Sequence, residues 1–168
     1  MKSNKTSRFV CKGGALSSIA VLLQAAPIFV PGIGLILSPL STLPVAIAAI
    51  SDISLGIFVF FSSTIILTMI SIQETLIFLF TTGILGVVIG SLLYRKGIIA
   101  SIICSSMVLT LGMIFLTYLV KVEGFIQLTN KLTSPIVLLI YIGFTTVYTS
   151  IWNIILIKLK NTLMSTNV

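Results

Sequence analysis

The segment from Gln24 to Ile50 reads QAAPIFVPGIGLILSPLSTLPVAIAAI and combines two properties that conflict in a membrane. It is apolar enough to lie in a bilayer, yet it holds four of the chain's five prolines: Pro27, Pro31, Pro39 and Pro44. Proline lacks the backbone donor that a helix interior uses, so no unbroken helix is expected here. Irregular backbone at membrane depth is tolerated where it is buried in protein or lines a polar cavity. We therefore expect this segment to form the wall or lid of a site.

The composition is that of an integral membrane protein. The 168 residues are 57% hydrophobic and 8% charged, and the mean hydropathy is +1.25. A soluble domain carries about 25% charged residues, so this chain cannot cover a water-facing surface with polar side chains. The net charge of +7 comes from basic residues at the ends of apolar runs. Such positions indicate topology signals and contact with anionic lipid headgroups rather than binding of nucleic acid.

Charged residues divide most of the chain into five uncharged runs, namely 13–51, 53–73, 75–94, 97–120 and 132–157. A helix needs roughly 20 residues to cross the hydrocarbon core. Each of the last four runs suits one crossing, and the first is long enough for two short crossings joined at Pro31-Gly32. The alternative for the first run is one crossing followed by a re-entrant or surface segment, which gives five crossings in total.

The distribution of Lys and Arg favours six crossings. With six crossings and a cytoplasmic N-terminus, eight basic residues lie inside and only Lys121 and Lys131 lie outside. With five crossings the division is six against four, which agrees less well with the enrichment of Lys and Arg in cytoplasmic loops. We predict an all-α, multi-pass bundle of six transmembrane helices in a bacterial plasma membrane, with both termini cytoplasmic. Its predicted parts are a basic tail over 1–12, one membrane domain over 13–160 and a short tail over 161–168.

The turns follow from the same division. The first helix is predicted over about Gly13 to Val30, and the second over about Leu35 to Ile50 with a bend near Pro44. Asp52 is predicted to cap the turn after the second helix. The remaining turns are predicted at Gln73-Glu74, at Tyr94 to Gly97, and in a longer outer loop from Lys121 to Ser134, which can form a short helix.

Polar side chains within a bilayer are costly, so they face the protein interior or a wet cavity. Gln24 falls in the outer half of the first helix and Tyr141 in the outer half of the sixth. Four more polar residues are predicted near the outer surface. Together with Gln24 and Tyr141 they are the candidates for an outward-facing ligand pocket: Gln24, Ser38, Ser41, Thr42, Glu74 and Tyr141. The alternative for each of them is a structural hydrogen bond.

Small residues spaced three or four apart allow helices in lipid to approach closely. The fourth predicted helix carries Thr82, Gly86 and Gly90 at a spacing of four. The first carries the candidates for docking another membrane protein near the cytoplasm: Gly13, Gly14, Ser17, Ser18 and Ala20. The alternative for these faces is packing within the bundle.

Several function classes are disfavoured. No acidic residue lies in the middle of a predicted helix, so a carboxylate relay for protons or sodium is not expected. The sequence shows no phosphate loop or catalytic dyad, and with two cysteines and no histidine it offers no usual metal-ligand set. We expect neither an enzyme nor a bound metal or cofactor. A self-assembling pore is disfavoured because no helix presents a sustained polar stripe.

The run from Leu22 to Ile50, with Pro-Gly-Ile-Gly at 31–34 ahead of Leu-Pro-Val-Ala at 43–46, resembles part of a known family. It is similar to the first loop and second helix of S components, the substrate-binding subunits of energy-coupling factor (ECF) vitamin transporters. The helix from Gly83 to Gly90, which ends in Tyr-Arg-Lys at 94–96, is similar to their fourth helix.

The resemblance implies a function and its partners. S components dock their coupling subunit through an Ala-x-x-x-Ala pattern in the first helix, where this chain has Gly13-x-x-x-Ser17 and Gly14-x-x-x-Ser18. The implied function is capture of a small, weakly polar solute from outside by a subunit that works with a transmembrane coupling subunit and ATPases. The alternative is an accessory or assembly protein, without a solute, that binds other transmembrane helices.

Overall fold

A computed structural model describes the backbone of residues 2–95, 97–120 and 134–165, and most of their side chains. Within these ranges the chain is helical and contains no β-strand. The α-helices are α1 (Lys2–Phe29), α2 (Ile33–Leu37), α3 (Thr42–Ser51), α4 (Ile53–Ile70), α5 (Ile72–Ile77), α6 (Gly83–Arg95), α7 (Ile98–Phe115) and α8 (Ser134–Ser165). A 3₁₀ turn, Ser38–Ser41, joins α2 to α3, and π-helical turns follow α5 (Phe78–Thr82) and α7 (Leu116–Val120).

Six helical segments of the described chain are long and apolar enough to cross a membrane. We number them span 1 (Lys5–Phe29), span 2 (Ile33–Ser51), span 3 (Ile53–Ile70), span 4 (Ile72–Leu93), span 5 (Ile98–Tyr118) and span 6 (Pro135–Leu159). The predicted all-α class and the six spans are confirmed. The second segment is a 19-residue helical run of its own, long and apolar enough for the crossing that the alternative with five crossings leaves out.

The first helix starts earlier than the sequence suggested. α1 begins at Lys2 rather than near Gly13, so most of the predicted tail over 1–12 is helical. Lys and Arg have good helix propensity, and no proline precedes Pro27 in this helix. The polar N-terminal residues therefore continue the helix beyond the apolar run.

The Pro- and Gly-rich segment breaks the helix as expected. α1 ends at Phe29, and Gly32 has φ of 92°, a backbone conformation that glycine adopts without steric cost. Pro39 lies in the first turn of the 3₁₀ segment and Pro44 in the first turn of α3. Both positions tolerate proline because the first turn of a helix leaves its N–H groups without intrahelical acceptors.

Two of the short turns can be compared with their predictions. Asp52 caps α4 as predicted, since its Oδ1 accepts a hydrogen bond from the backbone N–H of Ser54 at 2.9 Å. The turn predicted at Gln73-Glu74 is wrong by two residues, because the chain reverses at Ser71 and both residues lie in α5. Ser71 is extended and its hydroxyl accepts from the N–H of Glu74, as serine commonly does at the start of a helix.

The other two turns are described only in part. Gly97, with φ of 85°, lies in the turn before α7, while Lys96 in the same turn is outside the described residues. The predicted loop from Lys121 also falls outside them, as far as residue 133.

The chain divides into two compact units, residues 1–91 (unit 1) and 92–168 (unit 2). Unit 1 contains spans 1 to 3 and nearly all of span 4, around a core that includes Ala20, Val45, Val59 and Phe78. Unit 2 contains the packed pair α7 and α8, with Met113, Val137 and Tyr141 buried between apolar neighbours. The single membrane domain over 13–160 stays a prediction.

The small residues of α6 are used within unit 1. A Cβ atom on Gly86 would lie 2.9 Å from the Thr42 carbonyl oxygen, and one on Gly90 would lie 2.7 Å from that of Ala46. α6 therefore lies directly against the backbone of α3, which is the close approach that small residues permit in membrane helices. This contact holds span 4 beside span 2 and positions the polar residues at one end of both.

Candidate functional site

A buried polar cluster lies in unit 1, where three spans come together around Gln24. The Gln24 side chain donates from Nε2 to Glu74 Oε2 at 2.8 Å. Its Oε1 accepts two hydrogen bonds, from the hydroxyls of Ser41 and Thr82, each at 2.8 Å. We call these four residues, Gln24, Ser41, Glu74 and Thr82, the Gln24 cluster. They come from span 1, span 2 and span 4, so residues far apart in sequence meet in one network.

The chemistry of the partners fixes how the Gln24 amide is oriented. Glu74 Oε2 accepts the hydrogen bond, so the amide turns its NH₂ group toward Glu74. Its oxygen then faces the two hydroxyls, each of which donates its single proton. Gln24 and Ser41 have no exposed surface and Glu74 is 9% exposed. A buried polar group is stable when its hydrogen bonds are made, and this network occupies both lone pairs of Gln24 Oε1 and one of the two hydrogens on Nε2.

Two other predicted ligand residues lie close to the cluster in sequence. Thr42 follows Ser41 and is fully buried, and its Oγ1 has no hydrogen-bond partner among the described residues. Ser38 lies one turn earlier and is 9% exposed. A buried hydroxyl without a partner costs about 1–3 kcal/mol. Thr42 is therefore a fully buried residue of this region whose hydroxyl is not used in the hydrogen bonds of the fold.

Thr82 is a member of the cluster that the ligand prediction omitted. The sequence places Thr82 on the small-residue face of the fourth predicted helix, because it precedes Gly86 and Gly90 at a spacing of four. That assignment places Thr82 on the side of the helix that faces span 2. The same spacing could have identified it as a hydrogen-bonding residue, since a hydroxyl on a buried face needs a partner.

Tyr141 does not belong to this cluster, because it lies in unit 2. Its hydroxyl is 2.8 Å from that of Thr117, which joins α8 to the turn after α7. Beside it is a cavity of about 340 Å³ with a mainly apolar lining of Ile114, Tyr118, Pro135, Val137, Leu138 and Tyr141. The predicted pocket thus corresponds to two places, with five of its six residues in unit 1.

The last helix, α8, carries a row of buried polar residues that was not predicted from the sequence. Its members are spaced by four residues, and all of them are buried: Tyr141, Thr145, Thr149 and Asn153. α8 therefore presents a sustained polar stripe, and the prediction that no helix does so is wrong for this helix. Thr145 pairs with Thr110 of α7 at 2.8 Å, so the row faces a neighbouring helix. This supports packing of α7 on α8, because interhelical hydrogen bonds hold membrane helices together.

Unit 2 also contains buried polar atoms without a partner among the described residues. They are Ser101 Oγ, Ser105 Oγ and Asn153 Oδ1. Removing such a hydroxyl is expected to be neutral or stabilising, whereas removing one half of a formed pair costs free energy.

We expect Thr117→Val to lower the free energy of unfolding by about 0.6–1.7 kcal/mol, the range of interhelical hydrogen bonds in membrane proteins. The matched variant Ser105→Ala is expected to lie within about 0.5 kcal/mol of the wild type or to be more stable. Unfolding by SDS titration in mixed micelles measures both. An equal loss in Ser105→Ala would show that the Ser105 hydroxyl is hydrogen-bonded, contrary to this structure.

The predicted docking residues divide into two sets. Gly13, Ser17 and Ala20 are buried within unit 1, where a Cβ on Gly13 would lie 2.6 Å from the ring of Phe58 and the Ser17 hydroxyl is 2.5 Å from that of Ser62. Gly13 and Ser17 pack against α4 and Ala20 belongs to the core of unit 1, which is the alternative raised from the sequence. Gly14 and Ser18 lie on the exposed side of α1, and a Cβ on Gly14 would have nothing within 4 Å.

No described group of three or more His, Cys, Asp or Glu side chains could hold a metal ion. Comparison with protein-family models, curated proteins and solved structures finds no match to the chain.

Proposed function

We propose that this protein is a membrane-embedded, solute-binding subunit of a multi-component importer, similar to the S components of ECF transporters. The observation that carries the proposal is the Gln24 cluster, together with the unpartnered hydroxyl of Thr42, which follows Ser41 in the sequence. Three residues predicted as ligand contacts, Gln24, Ser41 and Glu74, lie in one network. Two members of the cluster, Gln24 and Ser41, flank the Pro31-Gly32 break in the sequence. Irregular backbone at membrane depth is tolerated where it is buried in protein or lines a polar cavity.

The proposed topology puts this cluster on the outer side. Gln24 is near the end of span 1, Ser41 is in the first half of span 2, and Glu74 is at the start of span 4. With the N-terminus in the cytoplasm, all three positions are toward the outside. A solute would enter there and would be released inward when the subunit reorients.

Energy and partners would come from other proteins. The chain shows no nucleotide-binding loop, so a transmembrane coupling subunit and ATPases would supply the energy. Gly14 and Ser18 form the exposed part of the predicted docking face, and Arg8 and Lys12 are exposed on the same helix. Small residues on a lipid-exposed face let a partner helix approach closely.

Affinity purification from the host membrane in a mild detergent tests the partners. We expect ATPases and a transmembrane coupling subunit to co-purify in stoichiometric amounts, as they do with an S component prepared in parallel. Replacing Gly14 and Ser18 by Leu should release them, while Leu139→Ala on the exposed side of α8 should not. Absence of an ATPase from the wild-type preparation, when the parallel S component retains its own, would contradict the proposal.

An accessory or assembly protein is the second candidate, favoured by the hydrogen bonds of Gln24. Because Oε1 accepts two bonds and Nε2 donates one, the cluster can act solely to fix the packing of three spans. The two candidates differ at Thr42, whose hydroxyl contributes no hydrogen bond to the fold but would contact a solute.

Cysteine labelling tests the orientation of both termini. In a background without Cys11 and Cys104, we expect Gln73→Cys to react with an impermeant maleimide added to intact cells. Ser51→Cys, in the turn at the other end of span 3, should react only after permeabilisation. Both positions are exposed, so accessibility within the protein does not bias the comparison. Labelling of Ser51→Cys from outside would reverse the orientation.

A further inference from the structure

The Gln24 cluster has more free hydrogen-bond acceptors than donors. The hydroxyl protons of Ser41 and Thr82 are both donated to Gln24 Oε1, and the Gln24 amide donates to Glu74 Oε2. Glu74 Oε1 accepts no bond from any residue that the structure describes. The lone pairs of the two donating hydroxyls also remain, and Thr42 Oγ1, next to Ser41 in the sequence, is unpartnered. The donors left over are the second hydrogen on Gln24 Nε2 and the Thr42 hydroxyl proton. A solute that complements these groups must mainly donate hydrogen bonds.

The charge of the Gln24 cluster also favours a solute that donates hydrogen bonds. Of the chain's three acidic residues, Glu123 is outside the described range; of the two that are described, Asp52 is exposed and Glu74 is buried. Gln24, Ser41 and Thr82 are neutral, and no ion pair between Glu74 and a described Lys or Arg is present. A carboxylate at membrane depth is costly without a cationic or hydrogen-bonding partner. The single amide donor from Gln24 satisfies only part of its capacity.

We infer that the Gln24 cluster binds the protonated amino group of a small solute and discriminates against anionic solutes. Glu74 Oε1 would accept a charged hydrogen bond from the ammonium group, and the Thr42 hydroxyl would accept a second one. Charge-assisted hydrogen bonds of this kind are about twice as strong as neutral ones. A carboxylate or phosphate in the same place would face the Glu74 charge without a cationic residue to offset it.

The pattern of burial indicates the side from which the amino group reaches the cluster. Gln24, Ser41 and Thr42 have no exposed surface, whereas Glu74 and Ser38 each retain 9% and Thr82 retains 8%. The solute would therefore first contact Glu74 or Thr82, and Glu74 is the charged one of the two. This inference rests on the proposed solute-binding function and specifies the chemistry of its ligand.

Thermal denaturation of the purified full-length protein in detergent, at constant ionic strength, tests the inference with n-propylammonium and propionate as probes. We expect propylammonium to raise Tm in a saturable manner and propionate to leave it unchanged. Glu74→Gln, which keeps the size of the side chain and an acceptor for Gln24, should weaken the apparent affinity for propylammonium about tenfold or more. Thr42→Val should weaken it as well. Asp52→Asn removes an exposed carboxylate and should bind like the wild type.

The outcomes separate this inference from the proposed function. An equal response to propionate, or wild-type affinity in Glu74→Gln, would overturn the amine assignment. If the protein purified from its host retains a solute without an amino group, and Thr42→Val releases it, the solute-binding function stands and the amine assignment falls. If neither probe binds and no solute is retained, both fall.

Discussion

Replacing Gln24 by leucine is expected to lower the free energy of unfolding by about 2–4 kcal/mol, because it removes three hydrogen bonds at once. The Ser41 and Thr82 hydroxyls would lose their shared acceptor, and Glu74 would lose its donor. All three would remain buried without a partner. The folded fraction in detergent should fall, and any solute bound at the cluster should be lost with it. SDS titration in mixed micelles measures the change.

Thr68→Val is the matched control for Gln24→Leu. Thr68 is an exposed residue of span 3 whose hydroxyl donates only to the Thr64 carbonyl of its own helix. Its removal is expected to change the free energy of unfolding by less than about 0.5 kcal/mol. If Gln24→Leu were as mild as this control, the cluster would not hold the three spans together.

Gly34→Ala is expected to be the most damaging glycine-to-alanine change among the residues that the structure describes. A Cβ atom at Gly34 would lie within 2.5 Å of the Ala26 carbonyl oxygen and would also overlap the backbone nitrogen of Pro27. Backbone atoms cannot rotate away as a side chain can, so α2 would have to move off the end of α1. We expect a loss of about 3 kcal/mol or more, and a lower yield of folded protein.

Gly14→Ala controls for the effect of a methyl group on a glycine. A Cβ there meets no atom within 4 Å, and Gly14 is on the exposed side of α1. Since alanine is favoured over glycine in a helix interior by about 1 kcal/mol, this variant should be as stable as the wild type or more stable. A comparable loss in both variants would contradict the close contact of α2 with α1.

The spans could be predicted because the chain's few charges divide its apolar runs. The break at Pro31-Gly32 was predictable from the chemistry of proline and glycine. The start of α1 was not, because the predicted boundary followed hydropathy, whereas helix propensity carries the helix back to Lys2. The turn at Ser71 was also placed wrongly, because Gln73 and Glu74 are the more polar pair. The burial of Glu74 against Gln24 outweighs that polarity.

The candidate site was predictable in part. Gln24, Ser41 and Glu74 were identified because polar side chains in a bilayer must find partners, and the structure brings them together. Which of them pair could not be predicted, since the pairs are 17 and 50 residues apart in sequence. Tyr141 met the same criterion but pairs with Thr117 in unit 2. The polarity of a residue predicts that it has a partner, whereas the packing of the helices determines which one.

The most direct test is native mass spectrometry of the wild type and Thr42→Val, each extracted gently from the host membrane. Valine has nearly the shape of threonine, and the Thr42 hydroxyl makes no hydrogen bond in the structure, so the variant should fold as well as the wild type. We expect the wild type to carry the added mass of a bound small molecule and Thr42→Val to carry much less. A wild-type protein without added mass, or equal occupancy in both, would contradict a solute site at the Gln24 cluster.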